Sequence, residues 1–152
     1  FYLLEDEFAP EVKKASWDYY VERTLHDSSL SLSTHSVMAA DMGNDEMAYD
    51  LFKKSCAIDL GPYMGTSDAG IHAASFGGIW QCAVYGFGGL RMLDGKLRIE
   101  PRLPENWNKL SFTIIWKGEK LGITVTRDGV DVRNLTGSKK VELTVQGKTI
   151  DI

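Results

Sequence analysis

Two cysteines in 152 residues, Cys56 and Cys82, are too few for a disulfide framework and lack the spacing of a zinc site. Their apolar surroundings suit buried free thiols and point to a reducing compartment, the cytoplasm. Four prolines and the absence of any low-complexity run or internal repeat exclude a Pro-rich linker, a disordered tail and a solenoid. Neither a nucleotide-binding glycine fingerprint nor a Gly-x-Ser-x-Gly elbow occurs. Net charge is only −4. Residues 1–92 hold 6 Lys/Arg against 13 Asp/Glu, or −7, and residues 93–152 hold 11 against 8, or +3. The basic residues of the second part are spread singly, which speaks against nucleic-acid binding. Phe1-Tyr2-Leu3-Leu4 runs straight into Glu5-Asp6-Glu7, so no secretory leader is expected. Residues 71–90 carry no charge, yet His72, Ser75, Gln81 and five glycines make a poor membrane span and a better buried helix.

The pattern changes period near Leu93. Before it, apolar residues recur at helical spacing. Pro10 suits the first turn of a helix to about Arg23, with Val12, Trp17 and Tyr20 on one face. A second helix runs from about Ser31 to Met42 and closes on Gly43. Asn44 caps a third, whose Met47, Leu51, Ala57 and Ile58 form a stripe before Gly61-Pro62 stops it. Residues 62–69 are loop chemistry, and a fourth helix runs from about Gly70 to Tyr85. After Leu93 the period is two, in runs such as Leu110, Phe112, Ile114 and Trp116. Lys117-Gly118-Glu119, Asp128-Gly129, Gly137-Ser138 and Gln146-Gly147 punctuate these runs as hairpin turns do. The expectation is α+β: helices over 1–92, then an antiparallel sheet or half-sandwich over 93–152 with its first strand at residues 96–100.

The chemistry concentrates in two runs. HDSSLS (residues 26–31) and AGIHAASFGGIWQ (residues 69–81) each join a histidine and small residues to a helix start. Together they offer hydroxyls, an imidazole and backbone N–H groups without a side-chain cation. A helix N-terminus bearing serines is a ready anion site. Ser28 and Ser29 could equally be ordinary helix caps, and His72 alone could be a satisfied core histidine. Glu22, Asp27 and Asp68 are candidate acids, although carboxylates near helix ends are usually solvated or capping. Trp17, Tyr19 and Tyr20 could stack on a sugar or fill a helix interface.

Three blocks carry a resemblance: YYVERTLHDSSLSLSTHSVMAADMG (residues 19–43), DAGIHAASFGGIWQCAVYGFGGLRM (residues 68–92) and KLRIEPRLPENWNKLSF (residues 96–112). In this order and spacing they resemble the C-terminal part of glycoside hydrolase family 65, which contains maltose, trehalose, kojibiose and nigerose phosphorylases. The resemblance implies the C-terminal helices of an (α/α)6 barrel followed by a small β domain. It implies inverting phosphorolysis of an α-linked glucose disaccharide, with inorganic phosphate as substrate and neither cofactor nor metal. Phosphate would replace the attacking water of an inverting hydrolase, so a cradle for it is needed more than a base. Ser28, Ser29 and His72 match the family's phosphate site, with Thr24 and His26 at the sugar pocket.

Two departures stand out. Ala69, with Asp68 one earlier, stands where relatives often carry an acid, and Val21-Glu22-Arg23 replaces a common Glu-Pro. The resemblance puts the general-acid glutamate, and a Lys-Gln pair that contacts the sugar, before Phe1. The chain alone is therefore expected to be inactive. Barrel helices without their partners would leave apolar surface, so self-association into a homo-oligomer is expected. Two other readings stay open. One is a trehalase-like hydrolase of the same family; the other is a non-catalytic carbohydrate-binding module using Trp107 or Trp116.

Overall fold

A computed structural model describes residues 2–61 and 70–152. A 3-10 turn (Glu5–Glu7) precedes α1 (Pro10–Tyr20), which tightens into a second 3-10 turn, Val21–Arg23. Pro10 opens α1 as its sequence position predicts. The face differs from the expected one. Val12 and Tyr20 are exposed, and the buried side of α1 is carried by Lys13 and by Trp17, which packs against the core of α2. An ion pair from Lys13 to Asp41, 3.0 Å, draws that side inward.

Helix α2 (Ser31–Asp41) is the centre of the helical layer and buries seven of its eleven residues. Its small residues, Ser33, Ser36, Ala39 and Ala40, let neighbours approach from several sides. Helix α3 (Asp45–Cys56) begins at Asn44, whose Oδ1 accepts from Met47 N at 3.1 Å, and packs back along α2 through Ser36 Oγ, which donates to Ala48 O. Leu32, Leu51 and Ile58 bury together, although Ile58 lies past the end of the helix. The expected loop over residues 62–69 lies outside the described residues, as do Asp68 and Ala69.

Helix α4 (Ala73–Gln81) passes into a π-helical turn, Cys82–Phe87. Only part of this segment is the buried helix that its composition predicts. Ser75 and Gly78 are buried, but Ile71, Phe76 and Trp80 are exposed. The charge-free stretch is thus one buried edge and one open apolar face. Gly78 is required: a Cβ there would stand 2.3 Å from Ser33 Oγ. Among the described residues no helix is long and apolar enough to cross a membrane.

The β unit opens earlier than the change of period suggests. β1 (Leu90–Leu93) pairs with β2 (Lys96–Ile99) through Asp94-Gly95, a two-residue turn with both φ positive. β3 (Lys109–Trp116), β4 (Glu119–Thr126) and β5 (Gly129–Asn134) form an antiparallel meander. β6 (Glu142–Val145) and β7 (Lys148–Asp151) close a hairpin that joins the first sheet, in the order β1-β2-β6-β7. The sheets are not wholly antiparallel, because β2 and β6 run parallel. Alternate residues of both, among them Leu97, Ile99, Leu121, Ile123 and Leu143, share one core, so the unit is a small sandwich.

Two junctions tie helices to sandwich. Gly89, with φ +62°, lets the chain turn into β1 where a Cβ would stand 1.8 Å from Glu100 O. Trp107 meets Phe52 and Phe87 edge-on, with ring centroids 5.5 and 5.2 Å away, and so packs at the junction of helices and sandwich.

Candidate phosphate site at the shared helix ends

Contacts along α2 and α4 fix their relative direction. Gly78 meets Ser33, Cys82 Sγ donates to Ser33 O at 3.3 Å, and Gly86 meets Val37 and Ala40. Residue numbers rise together, so the helices run parallel. Ser31 precedes its contact by two residues and Ala73 precedes its own by five, an axial offset of about 4–5 Å at 1.5 Å per residue. With ordinary helix spacing the two N-termini lie about 9–11 Å apart. Helix α3 returns toward the same end, bringing Lys54 and Asp59 there. Three segments far apart in sequence thus converge at one end of the helical layer.

Before α2, the chain is held in an uncommon conformation. His26 has φ +57°, rare for a residue with a Cβ. Its Nδ1 shares a 2.8 Å hydrogen bond with Ser31 Oγ, and its ring lies edge-on to His35 at 4.7 Å. His35 Nδ1 donates to Ser31 O at 2.9 Å. Burial, helped by His35 and the Lys54 charge, pushes the His26 pKa down, so this imidazole is neutral at pH 7. Lys54 is a cation close to the site; it also pairs with Asp50 at 2.8 Å.

The capping explanation of the serines does not hold in detail. The N-cap of α2 is Leu30, which offers no side-chain cap. Ser28 instead forms a turn: its Oγ accepts from Leu30 N at 3.3 Å and its carbonyl from Ser31 N at 3.0 Å. Among the described residues the Ser29 hydroxyl has no hydrogen-bond partner. Ser28 is exposed and Ser29 half-buried. Among the described residues the Leu32 and Ser33 N–H groups of the first turn have no capping partner and lie beside two hydroxyls.

His72 stands at the N-cap of α4 and is held from outside that helix. Asp59 Oδ1 accepts from His72 Nδ1 at 2.6 Å and Asp59 Oδ2 accepts from His72 N at 3.0 Å. The hydrogen bond from His72 holds the Asp59 carboxyl below its usual pKa. The proton is thereby fixed on Nδ1, and Nε2 is the nitrogen left to a ligand. Nearby, among the described residues, Ser55 Oγ and Ser75 Oγ are buried without a hydrogen-bond partner, an uncommon condition for a hydroxyl.

Not every sequence candidate gathers here. Thr24 Oγ1 donates to Tyr20 O at 2.9 Å, which occupies it at the end of α1. Glu22 and Asp27 are exposed. Tyr19 and Tyr20 pack edge-to-face on one another in the open, whereas Trp17 fills the interface beside His35. Neither serine bonds to His72 directly. Asp59 and Lys54 were not singled out by the sequence: Lys54 lies in the last turn of α3 and Asp59 three residues past its end.

Helices feeding a small sandwich are the order found in a family of glycosyl hydrolases. Residues 1–81 match the Glycosyl hydrolase family 65 central catalytic domain, and residues 90–152 match the Glycosyl hydrolase family 65, C-terminal domain. The chain belongs to glycosyl hydrolase family 65. It is 46% identical over 147 residues to a kojibiose phosphorylase of Caldanaerobacter subterraneus subsp. tengcongensis, covering 96% of this chain and 19% of that protein. It is 40% identical over 136 residues to an alpha,alpha-trehalose phosphorylase of Thermoanaerobacter brockii, covering 90% and 18%. A solved structure from the human microbiome, provisionally assigned as a kojibiose phosphorylase, superposes with TM-score 0.90 at 34% identity, covering 99% and 21%. The chain spans about a fifth of the length of these relatives.

Proposed function

We propose that this chain is the C-terminal portion of an inverting disaccharide phosphorylase, with the helices before β1 completing the (α/α)6 barrel and residues 90–152 forming its β domain. The reading rests on one observation: α2 and α4 start at a common end, with Ser28 and Ser29 before one and His72 opening the other. Phosphate would sit there, receiving hydrogen bonds from the serine hydroxyls and the N–H groups of Leu32 and Ser33 in the first turn of α2, with His72 Nε2 as a further contact. Held below the sugar ring, its oxygen attacks the anomeric carbon while the bond to the leaving sugar oxygen breaks. A general acid donates the proton to that oxygen. The product is β-glucose 1-phosphate, inverted at the anomeric centre.

That acid lies before Phe1 in this reading, so the 152-residue chain by itself releases no glucose 1-phosphate. His26 stands at the sugar pocket, where its neutral imidazole can exchange hydrogen bonds with hydroxyls. Thr24 lies beside it, already engaged with Tyr20. The full-length protein acts in the cytoplasm as a homo-oligomer without a cofactor. Kojibiose is the first disaccharide to assay, since relatives at 46% and 43% identity are kojibiose phosphorylases.

The test uses the full-length protein with phosphate varied at saturating disaccharide. Ser28→Ala and Ser29→Ala should raise the KM for phosphate by tenfold or more, about what one hydrogen bond to a charged group contributes, with little change in the KM for disaccharide. Hydrolysis at equal rate with and without phosphate would overturn the reading in favour of a trehalase-like hydrolase.

A further inference from the structure

The sandwich carries a second polar cleft, far along the chain from the helix ends. It has a volume of about 350 Å³ and lies between the Asp94-Gly95 turn, the end of the β3–β4 hairpin and residues 139–144. Trp116, Glu119, Lys96, Lys117, Lys139 and Lys140 line it. Glu142 adds a second carboxylate, so four lysines against two glutamates leave the lining at +2. Lys117 Nζ is fixed in place, donating to Gly95 O at 2.7 Å and lying 5.3 Å from the centre of the Trp116 ring.

Glu119 is the unexplained group. It is only 4% exposed, yet among the described residues no cation lies within ion-pair distance of it. Its Oε2 accepts from Ser138 N at 3.1 Å, a single neutral partner. Carboxylates this buried are normally paired with a cation or saturated with hydrogen bonds. Glu119 Oε1 is not among the buried unpartnered atoms and so reaches solvent, where a ligand hydroxyl can take the place of water. The half-buried indole gives the apolar wall against which a sugar's C–H edges can lie, and the surplus lysine charge answers an anion.

We propose that this cleft binds a phosphorylated monosaccharide, its hydroxyls on Glu119 and its phosphate among Lys96, Lys117, Lys139 and Lys140. The site is separate from the proposed phosphate cradle of α2 and α4 and does not depend on it.

The test is an amide and indole N–H NMR titration of the 152-residue chain with glucose 6-phosphate. Glucose and inorganic phosphate form separate arms. The expected result is shifts clustered at Trp116, Lys117, Glu119 and Ser138 with millimolar glucose 6-phosphate, and weaker binding in both other arms. The double variant Lys139→Glu, Lys140→Glu changes two exposed side chains. It should weaken binding roughly tenfold or more, the loss of at least one hydrogen bond to a charged group, while the other sheet resonances stay in place. Equal binding of inorganic phosphate or of glucose would overturn the proposal. So would shifts confined to residues 26–33 and 72, or an unchanged affinity in the double variant.

Discussion

Replacing Arg91 by leucine tests the polar joint between helices and sandwich. Arg91, at the second position of β1, is 5% exposed. Its guanidinium donates to Asp41, to Glu5 Oε2 at 3.1 Å, to Tyr85 O at 2.6 Å and to Leu90 O at 2.8 Å. Breaking a buried ion pair by removing one partner costs about 3–5 kcal/mol. Two features pull the value down: Asp41 keeps Lys13 at 3.0 Å and Glu5 keeps Arg98 at 2.8 Å, so neither carboxylate is abandoned. One feature pulls it up: the Tyr85 carbonyl loses a buried donor, about 1–3 kcal/mol. The expected loss is about 3 kcal/mol, a large part of an ordinary domain's stability. Arg98→Ala removes a partner of the same Glu5, but its side chain is 38% exposed and the loss should stay within about 1 kcal/mol. Urea denaturation at a common slope measures both. Equal losses for the two variants, or a stabilised Arg91→Leu, would refute the account.

Burial raises the Glu5 pKa, but the Arg98 hydrogen bond and the charges of Lys13, Arg98 and Arg91 outweigh it, and the net shift is downward from 4.5. Its stabilisation is therefore complete above about pH 4.5 and disappears as pH falls through the lower folded value; Glu5→Gln should flatten an acid-denaturation curve in that window. Gly89→Ala places a Cβ at positive φ and against Glu100 O, and should cost roughly 2–5 kcal/mol by thermal melting. Gly77→Ala, with nothing within 4 Å in α4, should instead gain about 0.5–1 kcal/mol. Burial pushes the Cys82 thiol up to about 11, so iodoacetamide at pH 8 should leave Cys82 unmodified in the folded chain and alkylate the half-buried Cys56 first; faster labelling of Cys82 would contradict its burial.

The fold was most legible where local signals decide the structure. Asn44 caps α3, Pro10 opens α1, and the pairs Lys117-Gly118 and Gln146-Gly147 turn hairpins, because each acts within a few residues of itself. The period of two placed β3 and β4 with their apolar residues inward. Local pattern could not show that β6 would pair in parallel with β2 across 46 residues, since strand direction is set by the partner and not by alternation. The early start at β1 was hidden for another reason. Leu90 and Arg91 are both buried, so the strand lacks alternation at its start, and Arg91 is kept there by carboxylates from two other elements.

At the candidate site the same division applies more sharply. The sequence could mark Ser28, Ser29 and His72 by residue type, and it could not weigh capping against ligand binding. That choice depends on whether the hydroxyls are consumed by α2, and Leu30 at the cap position leaves Ser29 unspent. Nor could it supply Asp59, thirteen residues before His72, because a carboxylate becomes an orienting group only when folding brings it within 2.6 Å of an imidazole. The parallel run of α2 and α4 explains how the two signals come to share one end. Small residues at Ser33 and Gly78 allow close approach there, and a larger side chain at either position would push the helices apart at the end where the serines and His72 lie.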